Sequence, residues 1–112
     1  MDPAPIDRDV VDELMTSLGD DFVRELVATF LAEAPAMLGE LRRSLAGTDA
    51  DASRRAAHTL KSNALAFGAE GLAARAKAIE HGGLAQAGAG ALDELEREYR
   101  RVAQALEEST RE

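Results

Sequence analysis

The sequence has no cysteine and no tryptophan, and only one tyrosine and three phenylalanines among its 112 residues. Without cysteine, disulfide bonds and thiolate metal sites are both excluded. With so few aromatic side chains, a core must be built from leucine, alanine and valine, which suits closely packed helices better than a pleated sheet. The composition therefore favours a small all-α domain.

Long apolar runs and excess positive charge are also missing. No stretch approaches the roughly 20 apolar residues needed to cross a bilayer, and the acidic amino terminus does not resemble a signal peptide. The formal net charge of -8 disfavours nucleic acid and anionic membrane as partners. We therefore expect a cytoplasmic, single-domain protein over residues 1–112. The initiating Met1 and the compact length favour a free-standing protein, and a domain excised from a hybrid kinase stays open as the alternative.

Apolar residues recur at helical spacing through most of the chain, and this pattern predicts five helical segments and no strand. The first covers about residues 7–18, with Asp7 as its N-cap and Gly19 at its end, and Asp20 or Asp21 caps the next. The other four segments are expected at about residues 20–46, 49–67, 70–81 and 90–108. Amphipathic helices with short connections predict an antiparallel up-down four-helix bundle with an additional short N-terminal helix.

Three local features set the expected boundaries. Pro35 falls inside the second segment, but the apolar stripe stays in phase across it, so one kinked helix is expected. Thr48 followed by Asp51 predicts the N-terminal cap of the third helix. The glycine pair at 82–83 is expected to end the fourth helix, and residues 84–90 are expected to form a loop.

His58 is predicted to lie on the solvent side of its helix. The apolar positions of that helix cluster on one face at about 100° per residue: Ala56, Leu60, Ala64 and Phe67. His58 projects nearly opposite this face, and helical spacing brings Lys61 and Ser62 up beside it. A neutral imidazole nitrogen is a good nucleophile, and its attack on phosphorus gives a labile phosphoramidate. His58 is therefore a candidate carrier of phosphoryl groups.

The neighbours of His58 have candidate roles because of it. Lys61 can offset the charge of phosphoryl oxygens as a compact point charge. Ser62 is small, so another protein could approach the imidazole closely, and Leu65 and Ala66 would supply apolar contact for docking. The alternative reading is an incidental surface histidine on a structural bundle.

The residues from His58 to Gly68 resemble the signature of the histidine-containing phosphotransfer (HPt) domain family. That motif reads His-x-Leu-Lys-Gly, then five residues, then glycine, and it is matched here at His58, Leu60, Lys61 and Gly68. Ser62 departs from the motif, since the commonest family residue there is glycine, although serine is a frequent small substitute. The sequence is therefore similar to the HPt family at the positions that carry its chemistry.

The resemblance extends over about residues 20–107 and implies a function. HPt domains accept a phosphoryl group from a phosphoaspartate on a response-regulator receiver domain and pass it to another receiver, usually on the imidazole Nε2. This implies His58 as the phosphorylation site, with Lys61 stabilising the phosphate and Ser62 as the close-approach position. It also implies Leu60 and Gly68 as structural residues of the motif.

The resemblance further implies a phosphocarrier, not an enzyme, without an ATP-binding or autokinase motif. The receiver supplies the magnesium ion, so no metal or cofactor is expected on this chain. The expected partners of a monomer are receiver domains and, as a second candidate, a hybrid histidine kinase. Two alternatives stay open: a non-catalytic helical adaptor bundle, and a kinase-fed phosphotransfer domain of the chemotaxis type. His81 is expected to cap a helix end and to have no functional role.

Overall fold

The computed structural model describes residues 4–46 and 50–111, and of residues 45–46 and 84–89 it describes only the backbone. All regular structure within these residues is helical, as the composition predicts. The four helices are α1 (Arg8–Leu18), α2 (Asp20–Ala46), α3 (Ala50–Ala66) and α4 (Glu70–Thr110). The expected start of the third helix at residue 49 and its cap at Thr48 lie outside the described residues.

The start and the end of α1 agree with the prediction. Asp7 is its N-cap and accepts a hydrogen bond from the backbone N–H of Asp9 on Oδ1 at 3.0 Å. Gly19 ends the helix with a φ of 92°, in the left-handed region that glycine adopts without strain. Because α2 begins directly afterwards at Asp20, the predicted capping by Asp20 or Asp21 is wrong. Both lie in the first turn of α2, where their charge complements the helix dipole.

Helix α2 passes through Pro35 as one helix, as the in-phase stripe predicts. The stripe contributes six buried side chains to the core: Val23, Val27, Phe30, Ala34, Leu38 and Leu41. Phe22 and Leu26 belong to the same apolar stripe, but their side chains are 49% and 37% exposed and lie at the margin of the core. The two residues lie on the outer edge of the first turns of α2, which α1, α3 and α4 leave partly uncovered.

One hydrophobic core connects the four helices. Val11 of α1, Leu41 of α2, Leu60 of α3 and Leu95 of α4 are all fully buried in it. A row of aromatic rings runs through this core, with the Phe30 centroid 5.6 Å from that of Phe67 and 5.9 Å from that of Tyr99. Apart from these rings, the core consists of aliphatic side chains, and many are alanines that allow close helix approach.

Two helices were expected where the structure has the single helix α4. Residues 84–90 are helical, so the predicted loop is wrong; the alanines, leucine and glutamine of this stretch favour helix enough to offset its glycines. The expected change of direction is nevertheless present. A straight helix of 41 residues would be about 60 Å long, whereas the greatest extent of the molecule is 43 Å.

Gly83 is where α4 departs from regular helix geometry, since its φ is 77°. The helix has therefore a first part before Gly83 and a second part after it, and both parts bury side chains in the common core.

His81 lies inside α4 and not at the carboxyl-terminal end of the helix, so its predicted capping role is wrong. The actual end of α4 has no basic residue in its last turn; Arg24 of α2 donates from Nε to the Thr110 carbonyl at 2.9 Å instead.

The turn between α3 and α4 determines how these helices face each other. The backbone N–H of Ala69 donates to the Ala64 carbonyl at 2.8 Å, and Gly68 between them has a φ of 69°. Gly68 is also where α1 attaches, because its carbonyl accepts a hydrogen bond from the backbone N–H of Asp7 at 3.0 Å. A Cβ on residue 68 would lie 2.9 Å from the Asp7 Cβ. Glycine is therefore required here by both the turn and the contact with α1.

No helix in the described part of the chain is long and apolar enough to span a membrane.

Candidate functional site: an exposed imidazole held by Glu80

His58 lies on the outer face of α3, where helical facing predicts it. Its side chain is 58% exposed, whereas the side chain of Leu60, two residues later, is fully buried in the core. Ala56 and Ala64 lie on the buried face one turn to either side of Leu60. The periodicity of α3 thus presents the imidazole to solvent from a well-packed helix.

A carboxylate from the neighbouring helix holds this imidazole. The Glu80 Oε2 on α4 lies 2.7 Å from the His58 Nδ1, and the Glu80 Oε1 lies 2.8 Å from the Lys61 Nζ. The Glu80 and Lys61 side chains are only 14% and 20% exposed, so the imidazole is the most accessible of the three groups. One carboxylate therefore binds both the histidine and the lysine of the motif.

The ionisation of Glu80 determines which ring nitrogen of the neutral His58 imidazole carries the proton. The Lys61 ammonium and, to a lesser degree, the hydrogen bond with His58 lower the pKa of Glu80 below its ordinary value of 4.5, although partial burial opposes them. Near neutral pH the carboxylate is therefore ionised and can only accept hydrogen bonds. The proton of the neutral imidazole must then be on Nδ1, which leaves the lone pair on Nε2. The site thus presents an exposed nitrogen nucleophile.

Sequence reasoning did not identify Glu80. It is 22 residues from His58, and the two meet only because the turn at Gly68 sets the register of α3 against α4. The one available signal was its place at the edge of the buried face of α4, directly after Ile79. The structure brings the predicted site residues His58 and Lys61 together on one carboxylate. Ser62 is exposed one turn after His58 and has no hydrogen bond within the described residues.

The exposed face of α3 changes character along its length. Arg54 and Arg55 lie one turn before His58, and Arg54 forms an ion pair with Asp51. Arg55 on α3 and Lys77 on α4 are exposed and make no ion pair or hydrogen bond within the described residues. Beyond Ser62 the face becomes apolar. The net charge of the chain is -8, yet Arg54, Arg55 and Lys61 share α3 with His58 within one turn of it.

Large apolar side chains are exposed towards one end of the bundle. The set comprises Leu18, Phe22, Leu26 and Leu65, which are 48%, 49%, 37% and 55% exposed. Leu65 lies on the His58 face of α3, two turns after the imidazole. The contact between Phe30 and Phe67 brings the α2 segment that follows Leu26 next to the end of α3. Leu26 and Leu65 therefore lie at the same end of the molecule.

A second polar region lies on another side of α4. An open cleft of about 880 Å³ is lined by residues that include Asp7, Gly71, Arg75, Glu98 and Arg101. The Glu98 side chain is 8% exposed and pairs with Arg101 at 2.7 Å. Neither region holds a metal-binding group, since three or more His, Cys, Asp or Glu side chains suited to a metal do not cluster anywhere in the described residues.

The family model of the Hpt domain matches residues 25–109, which is most of the chain. The chain therefore belongs to the Hpt domain family. Members of this family are helical-bundle phosphocarrier modules of two-component signalling and not enzymes with catalytic sites of their own. The match begins within α2, so α1 and the first turn of α2 lie outside it. Comparisons with curated proteins and with solved structures gave no match.

Proposed function

We propose that this protein is a phosphorelay intermediate whose His58 shuttles phosphoryl groups between receiver domains. In this proposal Nε2 accepts the group from the phosphoaspartate of one receiver and donates it to the aspartate of another. The single observation that carries the proposal is the exposed imidazole whose Nδ1 lies 2.7 Å from the Glu80 carboxylate; a carboxylate with a lowered pKa accepts a hydrogen bond from the Nδ1 N–H and leaves Nε2 as the nucleophile.

Lys61 would stabilise the transferred group. Its ammonium is one turn from His58 and already lies close to the imidazole through their common partner Glu80. A phosphoryl group on Nε2 carries more negative charge than the carboxylate, so it would attract the ammonium as well. Phosphoryl transfer depends mainly on positioning and electrostatics, and these are the contributions that a lysine at this place can make.

Ser62 and the cations around His58 fit a protein partner with an acidic phosphorylation site. Ser62 is exposed and small, so a partner could reach Nε2 without displacing a bulky side chain. Arg55 and Lys77, which have no ion pair with any side chain that the structure describes, could attract acidic groups on that partner, although the chain as a whole is acidic. The exposed Leu26 and Leu65 would contribute apolar contact at one edge of the docking surface.

The proposal includes an arrangement of the helices and a state of assembly. We infer that α2, α3 and the two parts of α4 run up and down as an antiparallel four-helix bundle. The short turn at 67–69 and the positive φ of Gly83 support this order, since each allows a reversal of the chain. We further propose that the protein acts as a monomer without a cofactor, the receiver providing the magnesium ion.

A transfer assay tests the proposed site. The protein is incubated with a radiolabelled phosphorylated receiver domain and magnesium, and the label on the protein is tested for lability in acid and stability in base. We expect labelling of the wild type and none of His58→Gln. The matched control is His81→Gln, which removes the other histidine, exposed on α4, and should leave labelling unchanged. Label that persists in His58→Gln would refute the proposed site.

A further inference from the structure

We propose that the Ser62 hydroxyl donates a hydrogen bond to the phosphoryl group carried by His58 and so stabilises the phosphorylated protein. The inference rests on the proposed function of His58 and gives the site a second phosphoryl-binding residue beside Lys61. The observation that carries it is an exposed hydroxyl, one turn after the imidazole, with no hydrogen bond in the part of the chain that the structure describes. The glycine that is commonest at this place in the motif has no such donor.

The Ser62 hydroxyl differs from three other hydroxyls on the helices of this chain. Thr16, Ser44 and Thr110 each donate to the carbonyl of the residue four positions earlier, at 3.0, 2.9 and 2.8 Å. The equivalent acceptor for Ser62 is the His58 carbonyl, and the described residues show no hydrogen bond between the two. The donor is therefore available for a group that arrives on the imidazole.

Helical geometry places Lys61 and Ser62 on opposite sides of His58. At about 100° per residue, Lys61 is rotated from His58 by about 60° in one direction and Ser62 by about 40° in the other. Lys61 lies on the side of α4, where Glu80 binds its ammonium at 2.8 Å. Residues four apart on a helix are neighbours, with about 5–6 Å between their Cβ atoms. A phosphoryl group, which extends beyond the ring, is thus flanked by an ammonium and a hydroxyl.

The hydrogen bond forms only in the phosphorylated state, so it favours that state. A phosphoryl group carries about two negative charges and three acceptor oxygens, and hydrogen bonds to such charged oxygens are stronger than those between neutral groups. The Lys61 ammonium is shared with Glu80 and supplies at most one positive charge, so the phosphoryl group still has oxygens that need donors. Serine supplies one without adding charge or bulk at the place where a receiver must approach.

Three substitutions of Ser62 separate the hydroxyl from its surroundings. The full protein is phosphorylated with potassium phosphoramidate, and the ³¹P chemical shift is followed with pH to find where the phosphoryl group takes up a proton. A donor that binds the dianion lowers this pKa, so we expect the midpoint to rise by about half a pH unit in Ser62→Ala. In Ser62→Thr, which keeps a hydroxyl, it should stay close to the wild-type value.

A second readout uses the transfer itself. At equilibrium with a phosphorylated receiver and magnesium, above the midpoint, the ratio of phosphorylated to unphosphorylated protein should fall about threefold in Ser62→Ala. Ser62→Gly should match Ser62→Ala in both readouts, although alanine favours helix and glycine disfavours it. Equal shifts in the two variants therefore identify the loss of the hydroxyl and not a change in helix stability.

Two controls make the outcome specific. Ser17→Ala removes an exposed serine hydroxyl from α1 and should leave the midpoint unchanged, and His58→Gln assigns the ³¹P signal. Equal midpoints in the wild type and Ser62→Ala would overturn this inference alone. Failure of a phosphorylated receiver to label His58 in the wild type would instead overturn the proposed function.

Discussion

Glu80 and Glu98 are two largely buried carboxylates on the same helix, and they differ in where their partners come from. Their side chains are 14% and 8% exposed. Glu98 pairs with Arg101, three residues further along its own helix, whereas Glu80 pairs with Lys61 and His58 on α3. The cation of Glu98 thus comes from the local sequence, and the partners of Glu80 come from tertiary packing.

The surroundings explain this difference. Glu98 lies over the first turn of α4, where a Cβ on Gly71 would be 2.9 Å from its Oε2. The N-cap residue Ala69 makes no side-chain hydrogen bond there, and the Glu98 carboxylate adds to the negative charge that Glu70 already brings to this helix end. Glu80 instead faces an exposed nucleophile. The Glu98 carboxylate thus pairs with a cation within its own helix, whereas the Glu80 carboxylate lies beside the imidazole that the proposed function uses.

The largest effect on stability is expected for Glu98→Ala. It removes the largely buried ion pair with Arg101 and one of the negative charges near the first turn of α4, so we expect a loss of about 2 kcal/mol in the free energy of unfolding. Urea denaturation measures this. The matched control is Glu94→Ala, at an exposed position of the same helix, where the change should be within about 0.5 kcal/mol. Equal losses in the two variants would contradict the role assigned to Glu98.

A smaller loss, about 1 kcal/mol, is expected for Gly71→Ala. Alanine favours helix over glycine by roughly 0.5–1 kcal/mol, but here its Cβ must displace the Glu98 carboxylate. In the Glu98→Ala background that obstacle is gone, so the same substitution should become stabilising. A double-mutant cycle by urea denaturation measures the change in the free energy of unfolding caused by Gly71→Ala in each background. A substitution that stabilises both backgrounds would show that Glu98 does not require glycine at residue 71.

Lys61→Ala should slow transfer about fivefold, which corresponds to about 1 kcal/mol in the barrier, because the phosphoryl oxygens lose their nearest ammonium. The folded state should persist, which circular dichroism checks. Arg100→Ala removes the same charge from an exposed arginine in the second part of α4, to which no role in docking is assigned, and serves as the control. Quench-flow or rapid gel assays of label transfer measure both rates. Equal rates for the wild type and Lys61→Ala would show that this charge is irrelevant.

The smallest effect concerns stability in acid. Because the folded-state pKa of Glu80 is lowered from 4.5, its ionised form adds stability above that pH, and the contribution is lost as the pH falls through the folded-state pKa. Glu80→Gln cannot titrate, so its stability should decline less steeply with acid than that of the wild type. Thermal unfolding between about pH 3 and pH 6 compares the slopes. Identical slopes would contradict the lowered pKa.

Much of this architecture could be predicted from local sequence patterns. The apolar periodicity of α3 predicted an exposed His58 and a buried Leu60, and the structure confirms both placements. Asp7 and Gly19 bound α1 as expected, and α2 continues through Pro35. These features depend on residues within one or two turns of each other, which is the range over which helical spacing and capping act.

The remaining features depend on tertiary contacts. Glycines at 82–83 predicted a helix end, but only the fold determines that the backbone stays helical on both sides of Gly83. Phe22 and Leu26 carry the same apolar signal as their buried neighbours, yet packing leaves them partly exposed. The partnership of Glu80 with His58 depends on the register between two helices. No spacing along the chain encodes that register.

The most direct test is the position of the proton on the unphosphorylated His58 ring. ¹⁵N NMR of histidine-labelled protein distinguishes a protonated from an unprotonated ring nitrogen once the imidazole is neutral, and His58→Gln assigns the signals. We predict that His58 carries its proton on Nδ1, with Nε2 bare. A ring protonated on Nε2 would have no free nucleophile facing solvent and would contradict the account.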